Sequence, residues 1–204
     1  MGEVPKEKAS KIYDVALNEF INNDYKSAST NIIARKSGIS KGSLFNYYGN
    51  KLNLFLMVAE KALKKYEEAM MPMLKDLSTD IFERVYETQM IKMELYYKLP
   101  KENRMIMRLF LTDDIEIRKK LIKYYEYYEK IANNTLMCDI DNSKFKEGID
   151  PNTVYKTLLY ISYGFIEMLQ RKYKDEPNGF MRDIDKISEE LLESINLIKL
   201  SVYK

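Results

Sequence analysis

A stretch of 22 residues, 27–48, constrains the fold of this chain more than any other feature, because it contains two short helical patterns separated by a glycine. Ser29 is placed to cap a first helix, and Gly38 supplies the left-handed residue that can end it. Ser40 can then cap a second helix that starts at Lys41. A turn this short sets two helices at a steep angle, so the second can enter a major groove about 12 Å wide while the first crosses the backbone. The stretch therefore predicts a helix-turn-helix unit that reads duplex DNA.

The charge around this stretch favours binding to phosphates. Between Tyr25 and Ala59 there are five basic residues and no acidic ones, whereas residues 60–204 carry 25 bases and 26 acids. The formal net charge of +2 conceals this division. A run of like charge is usually a solvated face, but here it coincides with the helix-turn-helix pattern and predicts a local positive field suited to DNA. The five bases are Lys26, Arg35, Lys36, Lys41 and Lys51.

Composition indicates a globular, helical protein. The chain has 204 residues, of which 46% are hydrophobic and 31% charged, and seven Gly and five Pro leave little room for sheets with many turns. No stretch approaches 18 consecutive apolar residues, and the N-terminus lacks the apolar segment of a signal peptide. We therefore expect a cytoplasmic protein with no membrane partner.

Three absences argue against an enzyme. The chain has no histidine, which removes the commonest general base and metal ligand. The single cysteine, Cys138, excludes an intramolecular disulfide and a cysteine-rich zinc site, and it has no imidazole to activate it. There is also no Gly-x-Ser-x-Gly elbow and no phosphate-binding loop. We expect no catalytic residues, no metal and no cofactor.

The apolar spacing is helical along the whole chain and predicts an all-α fold of about nine helices. Residues 1–50 are predicted to form a three-helix head, and residues 51–204 a helical body. Outside the helix-turn-helix, the predicted helices cover about 6–22, 51–71, 78–98, 105–111, some 20 residues after Thr112-Asp113-Asp114, 151–173 and 181–202.

The last two predicted helices are apolar over more of their surface than one small core can cover. Two such helices can pair with their copies across a two-fold axis as a four-helix bundle, which predicts a homodimer. The alternative is a monomer in which both helices are interior. The candidate dimer-interface residues are Leu158, Ile161, Phe165, Ile187, Leu191, Ile195 and Ile198.

Residues 11–55 closely resemble the TetR/AcrR family of bacterial transcriptional regulators. The resemblance is carried by Ile12-x-x-x-Ala16-x-x-x-Phe20, then by Ile33-Ala34-x-x-Ser37-Gly38-Ile39-Ser40-Lys41-Gly42-Ser43-Leu44-Phe45-x-Tyr47-Tyr48, and finally by Lys51-x-x-Leu54. The remainder is similar only in helix number, length and the apolar penultimate helix. The resemblance implies a homeodomain-like DNA-binding head in residues 1–50 and a body in residues 51–204 that binds an effector and dimerises.

Several residues of the head are candidates for DNA contact. The start of the second helix of the motif offers free amides to a phosphate, and Gly42 lets the backbone approach base edges closely. Asn46 can pair with adenine, and the resemblance implies a phosphate contact for Tyr47. Each could instead be a solvated surface group, and for Phe45 core packing and groove contact are equally plausible. The full set is Lys26, Ser29, Thr30, Ser40, Lys41, Gly42, Ser43, Phe45, Asn46, Tyr47 and Lys51.

The resemblance also implies a small-molecule effector held among the middle helices. The body is rich in Tyr and Met, which suits a hydrophobic or aromatic ligand, although such residues are more often ordinary core. Candidate pocket residues are Tyr86, Met90, Met93, Phe110, Tyr125, Tyr128 and Phe165.

Taken together, these features predict a TetR-like regulator, with repression the expected mode, that binds a palindromic double-stranded operator as a homodimer. Its effector would release it by favouring a different separation of the two heads. The alternative is a helical protein-interaction adaptor that does not bind DNA. The two differ in salt dependence, since DNA affinity must fall as salt rises.

Overall fold

The computed structural model describes residues 5–112, 114–173, 176, 179 and 182–204. Within these ranges it describes all side chains except those of Lys6, Met93, Phe110, Leu111, Glu129, Ala132, Leu136, Tyr163, Ile166 and Gln170. The predicted Asp113 cap and the Met181 helix start lie outside the described residues.

The described residues form nine α-helices and no strand, which confirms the predicted all-α class. We number the helices α1 (Lys6–Asn22), α2 (Thr30–Ser37), α3 (Lys41–Tyr48), α4 (Lys51–Met70), α5 (Ile81–Lys98), α6 (Pro100–Leu111), α7 (Ile115–Met137), α8 (Pro151–Lys172) and α9 (Ile184–Val202). Two 3₁₀ turns, Met71–Leu74 and Asn142–Lys144, lie between them. An isolated antiparallel bridge joins Phe145 to Tyr203.

Helix starts agree with the sequence wherever a capping side chain was identified. Ser29, Ser40 and Asn50 each accept a backbone N–H of the first turn of the next helix, at α2, α3 and α4 respectively. Asp150 does the same for α8, where Pro151 occupies the first helical position. These starts depend on residues close in sequence, which is why they could be predicted.

Two predicted boundaries were wrong. Helix α5 begins at Ile81 instead of Ser78, because the Asp80 carboxylate accepts the N–H groups of Phe82 and Glu83 and thereby caps the helix later. Helix α6 begins at Pro100 instead of Met105. A proline that cannot continue α5 is well suited to the first turn of the following helix, so one residue marks both boundaries.

The first compact unit comprises Met1–Lys75 and Ile91–Glu126. Helices α1 to α4 enclose a core whose most buried side chains include Ile12, Phe20, Leu44 and Leu54. Helix α6 packs against both α1 and α4 and contributes the fully buried Met105 to this unit. The head is therefore packed onto α6, which lies well beyond residue 50.

The second compact unit comprises Asp76–Met90 and Tyr127–Lys204. Its core includes Ile81, Phe82, Phe145 and Leu158. The ring of Tyr203 meets the rings of Phe82 and Phe145 edge-on, each at 5.0 Å between centroids. The boundary predicted at residue 50 separates a DNA-binding head from a body and therefore concerns function. The two units described here are defined by packing, so the predicted boundary stays a prediction.

In the part of the chain that the structure describes, no helix is both long enough and apolar enough to cross a membrane.

Candidate nucleic-acid interface

The turn between α2 and α3 is closed by backbone bonds around Gly38. Its φ is 73°, in the left-handed region, and its N–H donates to the carbonyls of Ala34 and Arg35. The N–H of Ile39 donates to the Ala34 carbonyl at 3.1 Å. Inside the turn, Ile33 and Leu44 are fully buried, so α2 and α3 are held together by packing as well as by the turn.

A buried carboxylate on α1 anchors the start of α2. Glu19 is only 8% exposed, and its Oε1 accepts the N–H of Ser29 at 2.9 Å, while the Ser29 hydroxyl accepts the N–H of Ile32. The sequence analysis missed Glu19. In the sequence, Glu19 stands next to the apolar residues Phe20 and Ile21 of α1. Because acids are seldom buried unless they are paired, this position could have indicated a buried carboxylate with a partner.

The outer side of α3 remains open. Lys41, Gly42 and Asn46 are exposed, while Ser43 and Tyr47 are half-buried. None of the eleven candidate DNA-contact residues is buried, in contrast to Leu44 at 0% exposure on the same helix. The candidates therefore lie where a partner could reach them, whereas the residues assigned to the core lie inside.

The hydroxyls at the start of α3 are already engaged with each other. Ser40 Oγ accepts the N–H of Ser43 at 3.0 Å and lies 2.9 Å from Ser43 Oγ. The Lys41 ammonium lies 5.8 Å from the centroid of the half-buried Phe45 ring. Phe45 thus supports the position of a cation while part of its ring stays accessible.

Gly42 is not required by packing within the chain. A Cβ added there would meet only Ser40 Oγ, at 3.7 Å, which is an ordinary van der Waals distance. The close approach suggested for Gly42 would therefore concern an outside partner and not a neighbouring helix.

Lys51 makes contacts within the protein that the sequence analysis did not predict. Its ammonium donates to the Lys26 carbonyl at 2.9 Å and lies 5.1 Å from the ring of Tyr25. Burial lowers the pKa of Lys51, although Asp24 and Glu19 oppose this effect. Lys51 therefore ties the segment before α2 to the start of α4, and two of its three N–H donors remain for a phosphate.

Two arginines of α6 hold the C-terminal end of α1. Arg104 Nη2 donates to Asn22 Oδ1 at 3.3 Å, and Arg108 Nη2 donates to the Ile21 carbonyl at 3.3 Å. A cation at the C-terminal end of a helix is favoured by the helix dipole. The head is thus linked to α6 by hydrogen bonds in addition to apolar packing.

The candidate effector residues lie in different environments. Tyr86 and Met90 are exposed, while Tyr125, Tyr128 and Phe165 are half-buried. The Tyr125 hydroxyl donates to the Leu109 carbonyl at 2.8 Å. The side chains of Met93 and Phe110 lie outside the described residues.

A cavity of about 320 Å³ in the second unit contains none of these residues. It is lined by Gly148, Ile149, Asp150, Thr153, Val154, Thr157, Ile198 and Val202.

The candidate dimer residues are largely covered within the monomer. Leu158, Ile187 and Ile195 are buried in the core of the second unit, and Ile161, Phe165, Leu191 and Ile198 are half-buried. Other apolar side chains of α8 and α9 face outward. These are Tyr160 at 70% exposure, Met168 at 47%, Leu197 at 68% and Leu200 at 77%.

The geometry of the head has a close counterpart among known proteins. Residues 12–58 match the family model described as "Bacterial regulatory proteins, tetR family". The match covers 47 of the 204 residues, so the similarity to the tetR family is one of the N-terminal head. All eleven candidate DNA-contact residues fall inside the matched TetR segment.

Comparison with whole proteins extends the likeness to the body. The fatty acid metabolism regulator protein of Bacillus subtilis is 22% identical over 147 residues, which cover 70% of this chain and 73% of that protein. NalD, the secondary repressor of the MexAB-OprM multidrug efflux pump in Pseudomonas aeruginosa, is 18% identical, with a TM-score of 0.65 and coverage of 98% of this chain and 97% of NalD.

The fatty acid degradation regulator FadR from Bacillus halodurans is 15% identical, with a TM-score of 0.65 and coverage of 93% and 97% respectively. At these identities the structural likeness concerns the fold.

Proposed function

We propose that this chain is a DNA-binding transcriptional regulator of the TetR type, a cytoplasmic repressor that binds a palindromic operator as a homodimer and is released by a hydrophobic or aromatic effector. One observation carries the proposal: the accessible side of α3 and its flanks is basic and polar, with no acidic residue between Tyr25 and Ala59. Such a surface attracts the phosphate backbone, and a helix presented in this way can reach base edges in the major groove.

The exposed side of α8 and α9 supports the dimer. Tyr160, Gly164 and Met168 follow one another at helical spacing on α8, and a Cβ at Gly164 would meet no atom within 4 Å. Leu197 and Leu200 are exposed apolar side chains of α9. Apolar side chains this exposed are favoured at an interface with a second copy. We therefore include these residues in the proposed interface beside the half-buried Ile161, Phe165, Leu191 and Ile198.

A dimer also fits the DNA geometry. Two α3 helices related by a two-fold axis can enter successive major grooves, about 34 Å apart, only at one separation of the heads. An effector that prefers another separation lowers DNA affinity by that preference. The bonds from Arg104 and Arg108 to α1 offer a physical connection, because a shift of α6 would move the end of α1.

The name of one similar protein favours repression, and two others concern the metabolism of hydrophobic compounds. NalD is described as a repressor, and the regulators from Bacillus subtilis and Bacillus halodurans as regulators of fatty acid metabolism and degradation. The proposed pocket keeps the aromatic and thioether residues Tyr86, Met90, Met93, Phe110, Tyr125, Tyr128 and Phe165 as its candidates.

The decisive experiment is selection of bound duplexes from a random DNA pool with the purified full-length protein. We expect a palindromic sequence with half-sites about one helical turn apart, since two equivalent heads impose that symmetry. Asn46→Ala should change the preferred bases at a few positions more than the overall affinity. A pool that shows no enrichment, together with an affinity that does not change with salt concentration, would favour the protein-interaction adaptor instead.

A further inference from the structure

The middle of α1 contains a buried tyrosine whose hydroxyl is unpaired. Tyr13 is only 1% exposed, and its hydroxyl makes no hydrogen bond with any residue that the structure describes. A buried hydroxyl in this condition is destabilising, because it has left water without gaining a partner. Burial, and after it the negative charges of Glu102 and Asp14, raise the pKa of Tyr13, so the hydroxyl keeps its proton and can donate.

A buried carboxylate of α6 lies beside this hydroxyl. Glu102 is 7% exposed, and its Oε1 accepts a hydrogen bond from the ammonium of Lys65 on α4 at 3.0 Å. The same ammonium lies 5.0 Å from the centroid of the Tyr13 ring, and the ammonium of Lys61 lies 4.1 Å from it. Helices α1, α4 and α6, all within the first compact unit, therefore meet at one carboxylate, one hydroxyl and two ammonium groups.

The two partners of the ion pair differ in how well each could do without the other. The side chain of Lys65 is 44% exposed, so water can solvate its ammonium when it leaves the pair. The side chain of Glu102 is 9% exposed, so its carboxylate needs a donor from the protein in every arrangement. Tyr13 is an unused donor next to it. Pairing Glu102 with Lys65 leaves the Tyr13 hydroxyl unpaired, whereas pairing it with Tyr13 leaves only an ammonium that water can reach.

We propose that α6 alternates between two positions, in which the Glu102 carboxylate accepts a hydrogen bond either from Lys65 of α4 or from Tyr13 of α1, and that this exchange sets operator affinity. The inference rests on the proposed function, because it names the contact through which α6 acts on DNA binding. Each position leaves one polar group without a partner in the protein, so neither is strongly preferred. A ligand or a substitution can then shift the populations.

Contacts of α1 connect this exchange to the helix-turn-helix. Arg108 of α6 donates to the Ile21 carbonyl at the end of α1, so α6 contacts α1 at its end as well as near Tyr13. Glu19 of α1 in turn accepts the N–H of Ser29, which caps α2. A movement of α6 between α4 and α1 would therefore be passed to the start of α2.

The test measures operator affinity for two variants that favour opposite positions. Tyr13→Phe keeps the ring but removes the alternative donor, which leaves Glu102 on Lys65. Lys65→Met removes the charged partner and leaves Tyr13 as the donor. We expect the two substitutions to change the dissociation constant of the selected operator in opposite directions, each by about threefold or more. A merely structural role would weaken binding in both. Changes in the same direction, or no change in either variant, would overturn the inference.

Stability and a neighbouring lysine serve as controls. Tyr13→Phe should have an unchanged or higher melting temperature, because it removes an unpaired buried hydroxyl. Lys64→Met, one position before Lys65 but paired only at the surface with Glu68, should bind operator as the unaltered protein does. If Lys65→Met does not fold, Lys65→Gln replaces it: its amide still donates but carries no charge, so it should shift affinity in the same direction by a smaller factor.

Crystal structures of the full-length variants test the two positions without DNA. We expect Glu102 to accept from the Tyr13 hydroxyl in Lys65→Met and from Lys65 in Tyr13→Phe. A Lys65→Met structure in which Glu102 pairs with Lys61, or in which the Tyr13 hydroxyl stays unpaired, would overturn the inference. If Glu102 changes partner as expected but no variant binds DNA, the proposed function fails while the two positions of α6 stand.

Discussion

At the scale of single residues, the two glycines of the helix-turn-helix have opposite roles. Gly38 has a φ of 73°, which an L-residue with a Cβ adopts only with strain, whereas Gly42 sits in α3 with ordinary space beside it. One glycine is therefore required by the fold. The other is free to serve contact with a partner.

Gly38→Ala should destabilise the head by about 1–2 kcal/mol, the cost of a left-handed alanine. Gly42→Ala is the matched control: it should leave stability equal or slightly higher, because alanine favours a helix, and yet weaken operator binding. Thermal unfolding followed by circular dichroism and a DNA titration measure the two effects separately. An equal loss of stability in both variants would contradict this assignment.

Lys51 has a structural contact within the protein, and we expect it to bind DNA as well. Its ammonium donates to the Lys26 carbonyl while its other donors are directed to no described acceptor, so Lys51→Ala should cost about 1 kcal/mol of stability. It should also weaken binding to all DNA sequences alike and flatten the salt dependence by about one unit of slope.

Lys64→Ala is the control on the same helix, since Lys64 is exposed and pairs at the surface with Glu68 at 3.9 Å. Binding measured at several salt concentrations gives the slope for both variants. An identical slope for Lys51→Ala and the unaltered protein would remove Lys51 from the interface.

At the scale of helices, Asp80 joins three parts of the second unit. Although only 2% exposed, it caps α5, and its Oδ2 lies 3.0 Å from the ammonium of Lys144 and 3.7 Å from that of Lys199 on α9. Burial by itself would raise the pKa of Asp80. The bonds from Lys144 and from the first turn of α5 outweigh burial, so the net pKa is lowered.

This lowered pKa predicts a specific pH dependence. Because the folded-state pKa of Asp80 is below the unfolded value near 3.8, its contribution to stability is present above pH about 4 and is lost as the pH falls through the folded value. Asp80→Asn should reduce stability at pH 7 by about 2 kcal/mol and make it less dependent on pH below 4. Denaturant unfolding at pH 7 and pH 3 checks both. A variant with the same acid sensitivity as the unaltered protein would show that other carboxylates dominate.

The helix-scale features differ in how far sequence could reach them. The starts of α2, α3, α4 and α8 follow from a capping residue and its neighbours, so they were predicted. The start of α5 was misplaced by three residues because Ser78, Thr79 and Asp80 are all possible caps, and the choice depends on Lys144 and Lys199, far away in the chain. Where several neighbouring residues could cap the same helix, tertiary contacts decide which of them does so.

At the scale of the whole molecule, we propose that the exposed apolar side chains of α8 and α9 form the dimer interface. Leu197→Glu combined with Leu200→Glu should convert the proposed dimer to a monomer, because charges on an apolar interface must be desolvated without partners. Loss of the dimer should weaken operator binding strongly, since only one half-site is then held.

Ile122→Glu is the control, as Ile122 of α7 is 57% exposed and outside the proposed interface. Sedimentation velocity and operator titration on both proteins provide the comparison. A monomeric unaltered protein, or a Leu197→Glu and Leu200→Glu variant that remains a dimer, would exclude this face.

Sequence by itself determined the all-α class, the helix-turn-helix with its Gly38 turn, the basic segment and the division of the head into inner and outer residues. These depend on capping, helical periodicity and charge within a few residues of each other. Only the tertiary structure revealed that Glu19 anchors α2, that Arg104 and Arg108 hold α1, and that Leu158, Ile187 and Ile195 are core. Each of these depends on which face of one helix meets another, and that choice is made by the packing of the whole chain.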